Sequence, residues 1–410
     1  TAMEHIEKEG DPFLLLSDRD RLQKEMAEEF LHAVIAGKTK EQDLRRVADF
    51  QASAILSSRL RGFHGRHGEI NSSDAVLEAF DDSSLCKLAM TGDQGPPEQT
   101  DTLGLIQAFE ARSGLHLLVN EIRPDFVKIH VVPCNLTANQ AAELASNIFY
   151  RLTTWSPSRR EDPLQQIGAW GDFRDFFLET MHRLLPLSTR LCVIPGPLSG
   201  LPIHWAVGSE YPLCYVPSLS IAYLLHRRRG EMEGGYRWRP RSVNDLLAWK
   251  IGEHKETLDQ FRDGSRAIEE RLAKLRTKYV RVEGIDCTKD KVLSALKDGE
   301  CIRLSCHGVA RPDDLRFDLL FASDGQLPPA DPIAINSELG ERFFLKWQDI
   351  AELPTCAPII FSAACSSGTS VRLRGGERIG LERPFFLAGA LSYVAPQWPV
   401  PVIHVQRLIN

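Results

Sequence analysis

A cysteine and a histidine stand out because each closes a short apolar run and is followed by small residues. Pro358 to Gly368 reads PIIFSAACSSG, and Cys301 to Gly308 reads CIRLSCHG. An apolar run that ends in turn residues is the pattern of a buried parallel strand delivering its last residues to a sheet edge. That edge is where open α/β sheets assemble their sites. Cys365 and His307 are 58 residues apart (365 minus 307), yet at the ends of adjacent strands they would meet in space. The thiolate, not the thiol, is the nucleophile. A neighbouring imidazole and turn N–H groups favour it, and the same imidazole can protonate a leaving amine. Gly308 lets backbone approach a substrate carbonyl. The N–H groups of Gly308 and Cys365 are natural oxyanion donors. The competing reading is that a cysteine at a strand end is most often a small hydrophobe. Alternation along the strand turns Cys306 away from His307, so Cys306, Cys301, Cys192, Cys214 and Cys356 read as core or inert thiols.

The elements that must position this pair follow from periodicity and punctuation. Residues 1–90 read as a helical N-terminal region. Ser17 is a cap, and Leu22, Met26, Phe30, Leu31 and Val34 fall at helical spacing. The Gly/Pro-rich stretch 91–100 reads as a linker. Leu115 to Ile122 and Val127 to Val132 flank Arg123, Pro124 and Asp125, the chemistry of a hairpin. Helices follow at 137–152 and 173–185, with Asn135 or Thr137 as a cap, and a strand at 190–195. The loop 230–244 reads as exposed, and 254–277 as a long amphipathic helix. A helix capped by Thr288 comes next, then the His307 strand. A long insertion spans 311–344, and after it come the Cys365 strand and a last helix–strand pair ending near Ala395. Strands alternating with helices predict a doubly wound, mostly parallel sheet flanked by helices over 101–410.

Composition bounds the function classes. The 410 residues suit two domains, and 43% hydrophobic with 25% charged residues suit a globular protein. A net charge of -6 gives no basic excess, so nucleic acid is not expected as a direct partner. No apolar run approaches the roughly 20 residues needed to span a bilayer, so no membrane association is expected. The nine cysteines are scattered, with no CxxC pair, which points to reduced thiols in the cytoplasm. No HExxH or clustered ligand set suggests a metal. No Walker A or GxGxxG turn suggests a nucleotide, so no cofactor is expected.

SCHG, SAACSSG and GGERIGLERPFFLAGALSYVAPQWPVP, in that order, resemble the CHAT domain, a caspase-like cysteine peptidase domain related to caspases and separase. RLCVIPGPLSGLPIHWAV and YVPSLSIAYLL resemble earlier segments of that family, and the likeness runs from about Asp101 to the C-terminus. It implies a caspase-like fold with His307 as general base and Cys365 as nucleophile, and with the Gly308 and Cys365 amides as the oxyanion hole. Glu377 matches a family glutamate and reads as a loop anchor. Residues after the last core strand line the specificity pocket in such folds, which points to Gln397 and Trp398, walled by Ala395 and Pro396. Asp313, Asp314 and Asp324 are acidic candidates for receiving a basic substrate side chain. Pro384 within GLERPFFLAG and Pro396–Gln397 within VAPQWP depart from the family pattern.

The implied function is a cysteine endopeptidase that cleaves a protein partner in a regulated, signalling or defence-type role. Some family members cut gasdermin-like pore formers. The family's peptidase is commonly joined to helical repeats or sensor modules, so a regulatory or sensor protein is an expected partner and residues 1–90 an expected remnant of such a region. The alternative is a catalytically silent caspase-like scaffold that binds partners. Such a scaffold is expected to lose His or Cys, and this chain keeps both.

Overall fold

The structure, a computed structural model, describes residues 12–36, 44–46, 48–49, 51, 85–86, 102–154, 163–187, 189–232, 238–248, 266–311, 316–326, 341–372 and 378–398. The chain divides into two compact units, Thr1–Arg237 with Arg372–Arg378, and Trp238–Val371 with Ile379–Asn410. The seam falls inside the stretch expected as one peptidase domain, and the Gly/Pro-rich segment 91–100 lies within the first unit.

The first unit is built on a mixed sheet. Its strands are β1 (Leu103–Ala111), β2 (Gly114–Ile122), β3 (Val127–Pro133), β4 (Arg190–Ile194) and β5 (Leu213–Tyr215), in the order β3-β2-β1-β4-β5. β1, β2 and β3 pair antiparallel, while β1, β4 and β5 run parallel. The expected hairpin is β2–β3, closed where Arg123 N–H donates to the Phe126 carbonyl at 2.9 Å. Two of its helices, α2 (Ala138–Thr154) and α3 (Gly168–Leu184), supply one core. Ile148, Phe173, Phe177 and Met181 join Ile106, Leu117 and Val119 there. Thr137 starts α2 with a reciprocal cap: its Oγ1 accepts from the Gln140 amide at 3.2 Å, and Gln140 Oε1 accepts from the Thr137 amide at 2.9 Å. Helices α4 (Ile203–Val207) and α5 (Leu219–Glu231) complete the unit.

A second core in this unit belongs to the N-terminal segment. Helix α1 (Pro12–Ile35) presents Ala27 and Leu31, with Leu44 and Ala48 beyond it, to Phe109 and Leu118. Buried polar groups reinforce the docking. Arg45 Nε donates to Asn120 Oδ1 at 2.7 Å, and Gln51 exchanges two 2.7 Å hydrogen bonds with the Glu110 backbone. The helical segment expected as a separate region therefore shares a core with the sheet. Leu31, Phe30 and Val34 of the expected inward face pack there, whereas Met26 is exposed and Ala27 takes the buried position. Ser17 lies inside α1 rather than at its cap.

The second unit carries the all-parallel sheet. β6 (Ser242–Leu247), β7 (Lys278–Glu283), β8 (Cys301–Ser305), β12 (Ile359–Ser362) and β15 (Ser392–Val394) lie in the order β15-β12-β8-β6-β7. Helices α6 (Lys289–Asp298), α7 (Trp347–Ala351) and α8 (Glu382–Ala388) bring Val292, Leu296, Ile350 and Phe385 onto Ile302, Leu304 and Ile360. Thr288 caps α6, as expected. On β6 and β8, Asp245 and Arg303 form a buried ion pair at 3.0 Å, and Tyr279 donates to Asp245 at 2.5 Å.

Several expectations change here. The α/β fold with a parallel sheet flanked by helices is as expected, but the strands of the first unit form a mixed sheet of their own. The insertion 311–344 contains part of a second ladder, formed by β9 (His307–Arg311), β10 (Arg316–Leu320) and β11 (Phe344–Leu345). Two further short strands, β13 (Ser370–Arg372) and β14 (Arg378–Gly380), pair with each other. The loop expected at 230–244 is shorter, because α5 runs to Glu231 and β6 starts at Ser242; Trp238 between them is buried. The first half of the helix expected at 254–277 lies outside the described residues, and 266–274 is helical. Leu275 near its end is 72% exposed and so is not on a buried face. Pro384 does not break α8. It stands in the first turn, where backbone N–H groups have no intrahelical acceptor to lose.

Candidate active site

The His307 and Cys365 segments leave the sheet from adjacent strands. β8 and β12 pair in parallel, Ser362 opposite Leu304, and the ladder extends one residue further as Ala363 N–H donates to the Leu304 carbonyl at 2.7 Å. Beyond β8 the chain bends at Cys306. Cys306 points into the core, as expected, and burial pushes its thiol well up. His307 does not end a strand, as expected, but opens β9. It pairs opposite Leu320, and Gly308 pairs opposite Leu319. Cys365 likewise stands not on β12 but in the turn that follows it.

The two segments touch through backbone. A Cβ built on Gly308 would lie far inside 3.0 Å of the Cys365 carbonyl oxygen and would also press on the Ala364 methyl. Only glycine permits that approach. His307 is partly buried, and burial pushes its imidazole down from 6.5 to about 4. It is therefore neutral at physiological pH, in the form that accepts a proton.

The turn carrying Cys365 is held from within and from one side. Ser366 follows the cysteine at φ 55, a left-handed conformation uncommon outside glycine. Ser362 and Ser367 hydroxyls share a 2.7 Å hydrogen bond, and Ser367 Oγ donates to the Ala364 carbonyl at 2.7 Å. Tyr393 on β15 donates to the Ser367 carbonyl at 2.9 Å. The segment after β15 then runs along the turn. Ser366 N–H donates to the Trp398 carbonyl at 3.2 Å, Gly368 N–H to the Pro396 carbonyl at 2.8 Å, and Thr369 Oγ1 to the Gln397 carbonyl at 2.5 Å. Gly368 admits no side chain there, since its Cβ would sit 2.8 Å from the Ala395 carbonyl oxygen.

The structure thus brings the Gly308 and Cys365 backbones into contact and runs the backbone of Gln397 and Trp398 along the Cys365 turn. Asp324 occupies the exposed turn 323–326, and its polar partners among the described residues are Arg342 at 3.6 Å and Ser323 at 3.3 Å. Asp313, Asp314 and Glu377 lie outside the described residues. Sequence reasoning missed Ser362, Ser367 and Tyr393. The serines were visible in SAACSSG but read only as turn residues, and nothing in the sequence pairs them with a tyrosine 26 residues away. The nine cysteines are all free thiols. Among the described residues there is no group that could hold a metal ion and no helix long and apolar enough to cross a membrane.

The family profile of the CHAT domain matches residues 188–410, more than half of the chain and inclusive of every site residue named above. The chain belongs to the CHAT domain family. The match begins at 188 rather than near 101, so β1, β2 and β3 precede the matched CHAT span. No curated protein matches the chain. Among solved structures it is similar to the Saccharomyces cerevisiae separase–securin complex, at 12% sequence identity and a TM-score of 0.48. That similarity covers 81% of this chain and 28% of the other, so this CHAT protein spans less than a third of that chain's length.

Proposed function

We propose that this CHAT protein is a cysteine endopeptidase in which Cys365 is the nucleophile and His307 the general base. The observation that carries the proposal is the backbone contact between Gly308 and Cys365, which sets the two side chains on abutting segments. The neutral imidazole of His307 takes the thiol proton as sulfur attacks the scissile carbonyl. The amides of Gly308 and Cys365 face the developing oxyanion. His307 then returns the proton to the leaving amine, and a water deprotonated by the same imidazole releases the acyl group. Gln397 and Trp398 form the wall that receives the substrate side chain. Gln397 Oε1 is buried with no hydrogen-bond partner among the described residues, an acceptor suited to a donor group on the substrate. The substrate is a protein, with gasdermin-like pore formers as one class, and the setting is the reducing cytoplasm under control of a regulatory partner.

The test is mass-spectrometric labelling with peptidyl electrophiles ending in Arg, Lys, Leu or Asp, on wild type beside Cys365→Ala and His307→Ala. The expected result is an adduct on Cys365 that both variants lose. Labelling of other thiols while Cys365 stays unmodified, with and without candidate protein partners, would favour the silent scaffold.

A further inference from the structure

Outside the candidate active site, two thiols face each other in the first unit. Cys192 on β4 and Cys214 on β5 are direct register partners in a parallel pair, so their side chains project from the same face. Neighbouring strands lie about 4.8 Å apart, inside the roughly 4.4–6.8 Å that a disulfide spans between Cα atoms. Each affects the other's acidity: Cys192 favours the thiolate of Cys214, and Cys214 pushes the Cys192 thiol well up. They differ in access: Cys192 is 8% exposed, whereas Cys214 is open to solvent.

We propose that Cys192 and Cys214 are a peroxide-reactive dithiol, a modification site separate from Cys365, that converts reversibly to a disulfide joining β4 to β5. Cys214 reacts first. The Cys192 thiol beside it, and then the nearby Arg190 charge, favour its thiolate and outweigh the partial loss of water around the sulfur. Among the cysteines whose acidity is shifted, Cys214 is alone in moving toward the thiolate; Cys134, Cys192, Cys287, Cys301 and Cys306 all move away. The Cys214 thiolate attacks one oxygen of hydrogen peroxide, the O–O bond breaks, and the departing hydroxide is protonated to water, leaving a sulfenic acid. The Cys192 sulfur, giving up its proton, attacks the Cys214 sulfur. An S–S bond forms, the S–O bond breaks, and a second water leaves. Two thiols are oxidised and one peroxide is reduced to two waters. A disulfide on a partly exposed edge strand is readily attacked by a small thiol, which restores the pair.

The experiment uses the full chain, reduced, exposed to hydrogen peroxide, capped with N-ethylmaleimide and digested without reductant. The expected product is a Cys192–Cys214 linked peptide pair, formed equally in wild type and Cys365→Ala and abolished by dithiothreitol. In Cys192→Ser, Cys214 is expected to persist as a sulfenic acid that dimedone traps. Recovery of both cysteines as maleimide adducts, whether or not other thiols oxidise under a large excess of peroxide, overturns the proposal, and so does Cys214 linked to a different cysteine. The wild-type result decides the matter even where a buried serine destabilises the variant. Because Cys365→Ala reports alongside wild type, failure here is distinct from failure of the peptidase assignment.

Discussion

Gly308 abuts the carbonyl of Cys365, with no room for a β-carbon between them. One strand pair, β8 beside β12, produces this meeting, because the two segments leave the same end of a parallel sheet side by side. Gly308→Ala therefore has nowhere to put its methyl group, and the obstacle is backbone rather than a side chain that can swing away. The variant is expected to lose about 1–3 kcal/mol of stability and to slow alkylation of Cys365 by a peptidyl electrophile. Thermal denaturation and the labelling rate, measured together, check this. An alanine silent in both would mean the segments do not touch.

Removing the proposed nucleophile and base should have unequal but severe effects. Cys365→Ala is expected to abolish peptide cleavage. His307→Ala should lower it on the order of 10³-fold or more, since base and nucleophile act as a unit. Both variants should unfold close to wild type at neutral pH, where His307 is neutral and half-buried. Cleavage of a fluorogenic peptide panel, with circular dichroism as the control, measures both.

The pH dependence follows from the buried imidazole. His307 is held near 4, against 6.5 in the unfolded chain. As the proposed base it stays competent down to about pH 4, so the acidic limb of kcat/KM should fall there rather than near 6.5. Stability carries the same signature. Between pH 6.5 and 4 the unfolded chain binds a proton at this site and the folded chain does not, so stability falls as pH drops through that window. The loss is on the order of 3 kcal/mol for this group. The acid-side slope of unfolding free energy should be shallower in His307→Gln, which cannot take up the proton. An unchanged slope would mean His307 titrates normally.

What was legible in the sequence depended on distance along the chain. β2, β4, β8 and β12 are apolar runs with turn residues at their ends, and each was readable locally. β1 was not, because Gln107 and Glu110 interrupt LGLIQAFEA, although Gln107 is fully buried in the centre of the sheet. The β9–β10 hairpin was hidden by its charged middle, HGVARPDDLRF. No strand names its neighbours, so the parallel sheet was legible as a fold class but its separation from the mixed sheet of β1 to β5 was not. His307 and Cys365 stood out as punctuated motifs, but their backbone contact, and the Ser362–Ser367–Tyr393 hydroxyls beneath the turn, arise from pairings between residues far apart in the chain.

The buried ion pair between β6 and β8 gives the last prediction. Asp245 and Arg303 are side by side on β6 and β8, at 3.0 Å and almost wholly removed from water. Arg303 lies four residues before His307, on the strand that delivers it. Taking charges out of water costs several kcal/mol each, so the attraction between them mostly offsets desolvation. Removing one partner leaves the other charge uncompensated. Asp245→Asn or Arg303→Met should each destabilise by roughly 3–5 kcal/mol, whereas Asp245→Leu with Arg303→Met should recover most of that loss. Tyr279 then becomes the test of mechanism. Its hydroxyl donates to Asp245, so Tyr279→Phe should cost about 1–3 kcal/mol in wild type and close to nothing in the double variant, where no carboxylate is left to satisfy. Urea unfolding of the resulting cycle reads all of these. Strict additivity of Asp245→Asn and Arg303→Met would show that the two charges do not depend on each other, and the sheet's support of the His307 strand would then rest on packing alone.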